Sequence, residues 1–456
     1  MMQLNEVEVP IFTIHRDATT EQRLLYRHCL YWFDNHLEDQ LSIESSYLLN
    51  TLSPILGSEG KVDAKSVRKL IHWIALLACS ADNSSFLGRI AQELQQAHGL
   101  ASDDDENLTS CCQSIFLICG WVTLLYKSRP PQTPKTISMY PSSMNLVSTR
   151  FRSQPVYPSS AAIDDELKAL SFPQLLACFG QRAPRQHSVT PVADSRSSVG
   201  TKASITASNV FFSNLRLVGK VKLEWVDSSV QHLDFDERTR VLKLFKHPVY
   251  CALICLSSPD STDFLNRYDD YQTNLRTEVL TRRSLISHEK DTDSGLSQND
   301  DDQVVDRPFD NFCREILITF GIIFSQDRNS RRAARALLRD TWPKDVASDR
   351  ILQSMCGKGS KGWHHHPLFD YLASPPLRAN YSIGVSFPML GHKLLHINEF
   401  MDSQSPNDFS TLFYDRRDHL RYWTFICLLG FGVASIGLGF LQVLLGTAQV
   451  VLASRV

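Results

Sequence analysis

The sequence predicts a mainly α protein with a small β element (α+β), one C-terminal transmembrane helix and long disordered loops. Three observations predict it. Apolar residues recur at helical spacing in both the N-terminal and C-terminal parts of the chain. A short stretch around residues 221–245 alternates apolar and polar residues as strands do. From Trp423 to Ala453 there is no charged residue.

Residues 1–128 form the first helical region. TTEQRLLYRHCLYWFDNHLEDQ offers Thr19 or Thr20 as N-cap, and Leu24, Leu25, His28, Tyr31 and Trp32 follow helical spacing. KSVRKLIHWIALLAC sets Val67, Leu70, Ile71, Ile74 and Leu77 on one face. SSFLGRIAQELQQAHG is a third helix that Gly99 would cap. Leu108 to Tyr126 is uncharged and just long enough to cross a bilayer. Its early polar and thiol positions and Gly120 favour a central buried helix over a second span.

Residues 129–205 are a Pro/Ser-rich linker, too polar to fold alone. Within it, ELKALSFPQLLACFG would dock as a short helix interrupted near Pro173. Residues 206–256 are a small β-containing region. Val221, Leu223 and Trp225 mark a half-buried strand and Val241 to Phe245 a second one. Asp236 to Arg240 make a polar turn, and a brief helix is expected near Ser228 to Leu233. Residues 257–308 read as an acidic disordered loop. Residues 309–412 return to helix and are expected to pack with the N-terminal part. In that region Arg328, Arg332, Arg335 and Arg339 recur at helical spacing, a stripe suited to anionic lipid or to a solvated face paired with Asp327 and Asp340.

Residues 422–453 are the membrane anchor. A bilayer core of about 30 Å takes roughly 20 apolar residues, and Trp423 to Leu445 meets that need. Arg416, Arg417 and Arg421 precede the span and only Arg455 follows it. Positive charge stays on the cytosolic side, so the N-terminal region should face the cytosol in tail-anchored topology. The opening MMQLNEVEVPIFTIHRD has no basic start followed by an apolar core, which gives no expectation of a signal peptide. Gly430 with Ala434, and Ser435 with Gly439, place small residues four apart, spacing that lets two membrane helices approach and self-associate.

The charges nearly balance, at a formal −2, which gives no bulk argument for nucleic acid. Eleven cysteines without a CxxC pair suggest free thiols and no zinc site. GKGSKG (357–362) matches GxGxxG, but Trp363, three histidines and Pro367 follow where a helix is required. His364, His365 and His366 are consecutive, so their side chains diverge and do not converge on one ion. No GxSxG elbow, HExxH, Walker loop or kinase set is present. No cofactor, metal or catalytic residue is indicated.

Four stretches, KVKLEWVDSSVQHLDFDERTRVLKLFKHP (220–248), ITFGIIFSQDRNSRRAAR (318–335), FPMLGHKLLHINEF (387–400) and FYDRRDHLRYWTFICLLGFGVASIGLGFLQVLLGTAQVV (413–451), occur in this order. In that order the chain resembles a group of uncharacterised filamentous-fungal proteins. The resemblance implies a cytosolic region with a single C-terminal transmembrane helix, and it carries over no activity or binding residue. The leading expectation is a non-enzymatic interaction or scaffold module with an unknown cytosolic partner. The alternatives are a membrane-bound enzyme or lipid-handling protein, and an oligomerising stress or nonself-response component.

Overall fold

The computed structural model describes residues 12–14, 16–56, 70, 73–74, 86–97, 105–130, 135–140, 159–179, 204–258, 308–340, 342–344, 346, 349–356, 378–404 and 419–453. They form a mostly helical protein with three small sheets and one long apolar C-terminal helix.

Helix α1 (Thr20–Leu56) begins with a reciprocal cap: Gln22 N–H donates to Thr19 Oγ1, and Thr19 N–H donates to Gln22 Oε1. Its buried face is Tyr26, Cys29, Phe33, Leu37 and Leu41. The sequence stripe is therefore rotated. Leu24 and Tyr31 are exposed, and Leu25, His28 and Trp32 flank the buried face. Apolar residues on both sides of that stripe made its phase ambiguous. Leu70 and Ile74 are buried as expected, while Val67, Ile71, Leu77 and Gly99 lie outside the described residues.

Helix α2 (Phe86–Ala97) packs on α3 (Asp105–Thr123). Residues 111–126 are all buried within the protein, so this uncharged segment is a core helix. Leu124 ends it in the left-handed region, φ 48°, turning the chain into β1 (Ser128–Arg129).

Strands β1, β2 (Thr136–Met139) and β3 (Ser160–Ala162) form an antiparallel sheet. Helices α4 (Asp165–Lys168) and α5 (Phe172–Cys178) follow. These parts of the Pro/Ser-rich region are structured because they borrow an existing core: Ile137, Met139, Phe172, Leu175 and Leu176 are buried. The helical segment is interrupted near Pro173 as expected, at residues 169–171, so that Pro173 falls inside the second helix and not at the break. The proline sits in the first turn of α5, where a missing N–H costs nothing, behind a Ser171–Gln174 capping box. The remainder of 129–205, apart from 204–205, lies outside the described residues.

Strand β4 (Ser204–Thr206) runs into α6 (Ala207–Val210) and α7 (Phe212–Leu217). Strand β5 (Lys222–Val226) then alternates exposed and inward residues, as its sequence predicts. A 3₁₀ turn (Ser229–Gln231) and β6 (Phe235–Asp236) lead to β7 (Val241–Phe245). β7 is central, parallel to β5 and antiparallel to β6. The polar turn is closed by Asp236, which accepts from Arg238 N–H and Thr239 Oγ1.

Helix α8 (Pro248–Leu256) is buried at every residue and packs against α1, α9 (Pro308–Phe324) and α11 (Arg350–Met355). Burying a large apolar side chain contributes roughly 1.5–3 kcal/mol, so this nine-residue helix is the centre of the fold. Between α9 and α11 lies α10 (Arg328–Asp340), which packs on α7 and α11. Strand β8 (Asn380–Ser382) pairs with β4 across the chain and leads to α12 (Ile383–Ser386) and α13 (Gly391–Ser403). α14 (His419–Ala453) is the long apolar helix. The acidic segment expected to be a disordered loop falls, from 259 to 307, outside the described residues.

Candidate functional site

Within α14, Trp423–Val450 is long and apolar enough to cross a membrane, and none of it is buried. Phe431, Ile436 and Phe440 are exposed. Exposed apolar side chains over 28 residues have no stable place in water. Among the described residues this is the one helix of that kind. Trp423 lies at its start, and Gly430, Ala434, Ser435, Gly439 and Leu445 lie along it. A Cβ added at Gly430 or Gly439 would meet nothing within 4 Å. Arg416 and Arg417 lie outside the described residues, and Arg421 is in the first turn of α14.

Among the described residues the helix that precedes α14 is α13, and three groups of polar contacts tie it to the core. The Glu315 carboxylate of α9 accepts N–H groups from Leu390 at 2.7 Å and Met389 at 3.0 Å. The acceptor oxygens there complement the positive end of the α13 dipole. Burial pushes the Glu315 carboxyl up to about 7, against the lowering effect of these N–H groups. Lys393 pairs with Asp234 at 2.7 Å, both largely buried, and donates to the Val230 and His232 carbonyls. Asn398 Oδ1 accepts from Thr206 N–H and Asn209 Nδ2, and Asp402 accepts from Asn209 Nδ2 as well.

A second polar cluster joins α1, the end of α3 and the end of the β5–β7 pair. Asp227 lies 2.7 Å from Lys127 Nζ and 2.6 Å from Lys246 Nζ. Burial pushes the Asp227 carboxyl up, but the two ammonium groups outweigh it and hold it at about 2. Trp32 stacks on His36 and lies against His247. Burial, helped by Lys246, holds His36 down at about 4, against Asp227 and Asp39. His247 is likewise held well below its ordinary value by burial, with His36 and Lys246 adding to the effect.

The chemistry these groups can do is limited. The buried thiols Cys29, Cys111, Cys119, Cys255, Cys313 and Cys356 are pushed up by burial, away from the reactive thiolate. Both histidines of the Asp227 cluster are neutral. Glu315 is already engaged with backbone donors. Among the described residues no group of three or more His, Cys, Asp or Glu side chains could hold a metal ion. GKGSKG and His364–His366 lie outside the described residues.

Arg328, Arg332, Arg335 and Arg339 are all exposed on α10. Asp327, expected as a partner for them, instead accepts from Ser213 Oγ, Ser330 N–H and Ser330 Oγ. Sequence reasoning missed Glu315, Asp227, Asp234 and Lys393, whose partners are far away along the chain. No family model, curated protein sequence or solved structure matches this chain.

Proposed function

We propose that the protein is a single-pass membrane protein whose folded region faces the cytosol and serves as an interaction or scaffold module. The observation that carries this reading is the unburied apolar helix Trp423–Val450. The excess of Arg416, Arg417 and Arg421 before the span over Arg455 after it supports the orientation. The ties from α13 to Glu315, Asp234 and Asn209 support a scaffold role, since they hold the last described helix before α14 against the core. The consumption of buried ionisable groups in structural contacts favours a binding role over catalysis. The resemblance to fungal proteins of the same layout agrees with this reading, and a cytosolic protein partner and anchor-mediated self-association belong to the same proposal.

Protease protection on isolated membranes, with a tag at each end, tests it. Digestion of the N-terminal tag with shielding of the C-terminal tag is expected. Digestion of both tags, with release of the chain by carbonate, would overturn the reading.

A further inference from the structure

Helix α10 presents a basic face that the fold leaves uncovered. At about 100° per residue, positions 328, 332, 335 and 339 fall within an arc of about 60°. They run along roughly 16 Å of helix. The opposite face is committed to the core through Ser330 and Ala334. Among the described residues, no carboxylate lies within ion-pair distance of Arg328, Arg332 or Arg335. The neighbouring carboxylate, Asp327, is occupied by Ser213 and Ser330.

Further exposed positive charge lies on neighbouring elements. Arg378 is exposed, and its N–H donates to the Tyr381 hydroxyl, which also accepts from Gln326. Arg350 is exposed on α11, which packs against α10.

The path to the membrane is short. Asp402, near the end of α13, accepts from Asn209 at 2.7 Å. Four residues on, a stretch of at most about 15 Å, Ser213 donates to Asp327 at 2.8 Å, and Arg328 follows. The residues between Gln404 and His419 can span at most about 50 Å. The arginine face is thus within reach of the bilayer that would hold α14.

We infer that the arginine face of α10 is a docking surface for the anionic headgroups of the membrane in which α14 is anchored. The guanidinium fork matches phosphate and carboxylate oxygens and tolerates partial dehydration. The inference rests on the anchor reading for its geometry, and its chemistry can be tested apart from it.

The full chain is placed in phosphatidylcholine nanodiscs, so that the anchor is already satisfied. It is then pelleted with vesicles of phosphatidylcholine alone or doped with phosphatidylserine. Association only with the anionic vesicles, abolished at high salt, is expected. Each basic residue near such a surface raises partition about fivefold. Replacing Arg328, Arg332 and Arg335 by Gln should therefore lower it roughly a hundredfold, whereas Arg→Lys at the same three positions should retain most of it. Circular dichroism of the Gln variant should be unchanged, because these side chains are exposed. Equal pelleting by neutral and anionic vesicles, or by wild type and the Gln variant, would overturn the inference. So would capture by polyuridylate in preference to the anionic vesicles. A chain that stays out of the nanodiscs would overturn the anchor reading instead, and is then pelleted with the same vesicles directly.

Discussion

The Glu315 carboxylate accepts the backbone N–H of Leu390 at 2.7 Å, 75 residues away in the chain. One buried side chain thereby satisfies donors at the start of α13 that the helix cannot satisfy itself. The same contact fixes the last described helix before α14.

Glu315 makes stability depend on pH. Its folded value, about 7, is above that of a free glutamate. The folded state therefore holds the extra proton, and this contribution is present at low pH and lost as pH rises through about 7. Glu315→Gln removes that dependence while keeping an acceptor. From pH of about 8 to about 5, wild type should gain roughly 3 kcal/mol relative to the variant. Urea unfolding of both at several pH values reads the difference.

Asp227 carries the opposite sign. Its carboxyl is held at about 2, so its contribution is present above about 4 and lost as pH falls through about 2. Asp227→Asn should cost about 1–2 kcal/mol near neutrality, a figure reduced because Lys127 is half exposed. The gap between wild type and variant should close in strong acid, which thermal unfolding across pH would follow.

His232 is locked in one neutral tautomer. Phe245 N–H donates to Nδ1 at 3.2 Å, and Thr319 gives its own hydroxyl proton to the Ile316 carbonyl, so Nε2–H donates to Thr319 Oγ1. Burial and Lys393 hold the ring well below its ordinary value. Its contribution is therefore full above about 6.5 and lost in acid. Thr319→Val leaves the Nε2–H without a partner and should cost about 1–3 kcal/mol. An unchanged urea midpoint would contradict this hydrogen-bond chain.

Two glycine substitutions separate the core from α14. A Cβ at Gly391 would lie 2.1 Å from Ile383 Cγ2, so Gly391→Ala should destabilise the folded region by about 1–3 kcal/mol. A Cβ at Gly439 meets nothing within 4 Å, so Gly439→Leu should leave that stability unchanged. Any loss of self-association in Gly439→Leu would then report on helix contacts in the bilayer. Unfolding curves together with crosslinking in membranes make the comparison.

The locally encoded features could be read from the sequence. The Thr19 cap, the alternation of β5, the polar turn at Asp236 and the uncharged run from Trp423 are each carried by one continuous stretch of sequence. The phase of α1 was harder, because Leu24, Leu25, Tyr26, Tyr31, Trp32 and Phe33 put apolar residues on adjoining faces. The parallel pairing of β5 with β7 had no local signal, since a strand looks the same in either orientation. The sheet in the Pro/Ser-rich region was hidden for a related reason: its few apolar residues suffice only because α3 supplies the rest of the core. Glu315, Lys393 and Asp227 could not be singled out, because a lone charged residue does not announce a partner in another element, whether 19 positions away as Lys246 is from Asp227 or 159 away as Lys393 is from Asp234.

The contact between Phe33 of α1 and Tyr250 of α8, 6.4 Å between ring centres, also sets a schedule for biogenesis. At about 5–20 residues per second, the ribosome needs roughly 10–45 s to travel from one to the other. Throughout that interval the apolar face of α1 has no α8 to cover it. α3 reaches α1 sooner, so the helix is covered in two instalments, and both are complete well before α14 emerges.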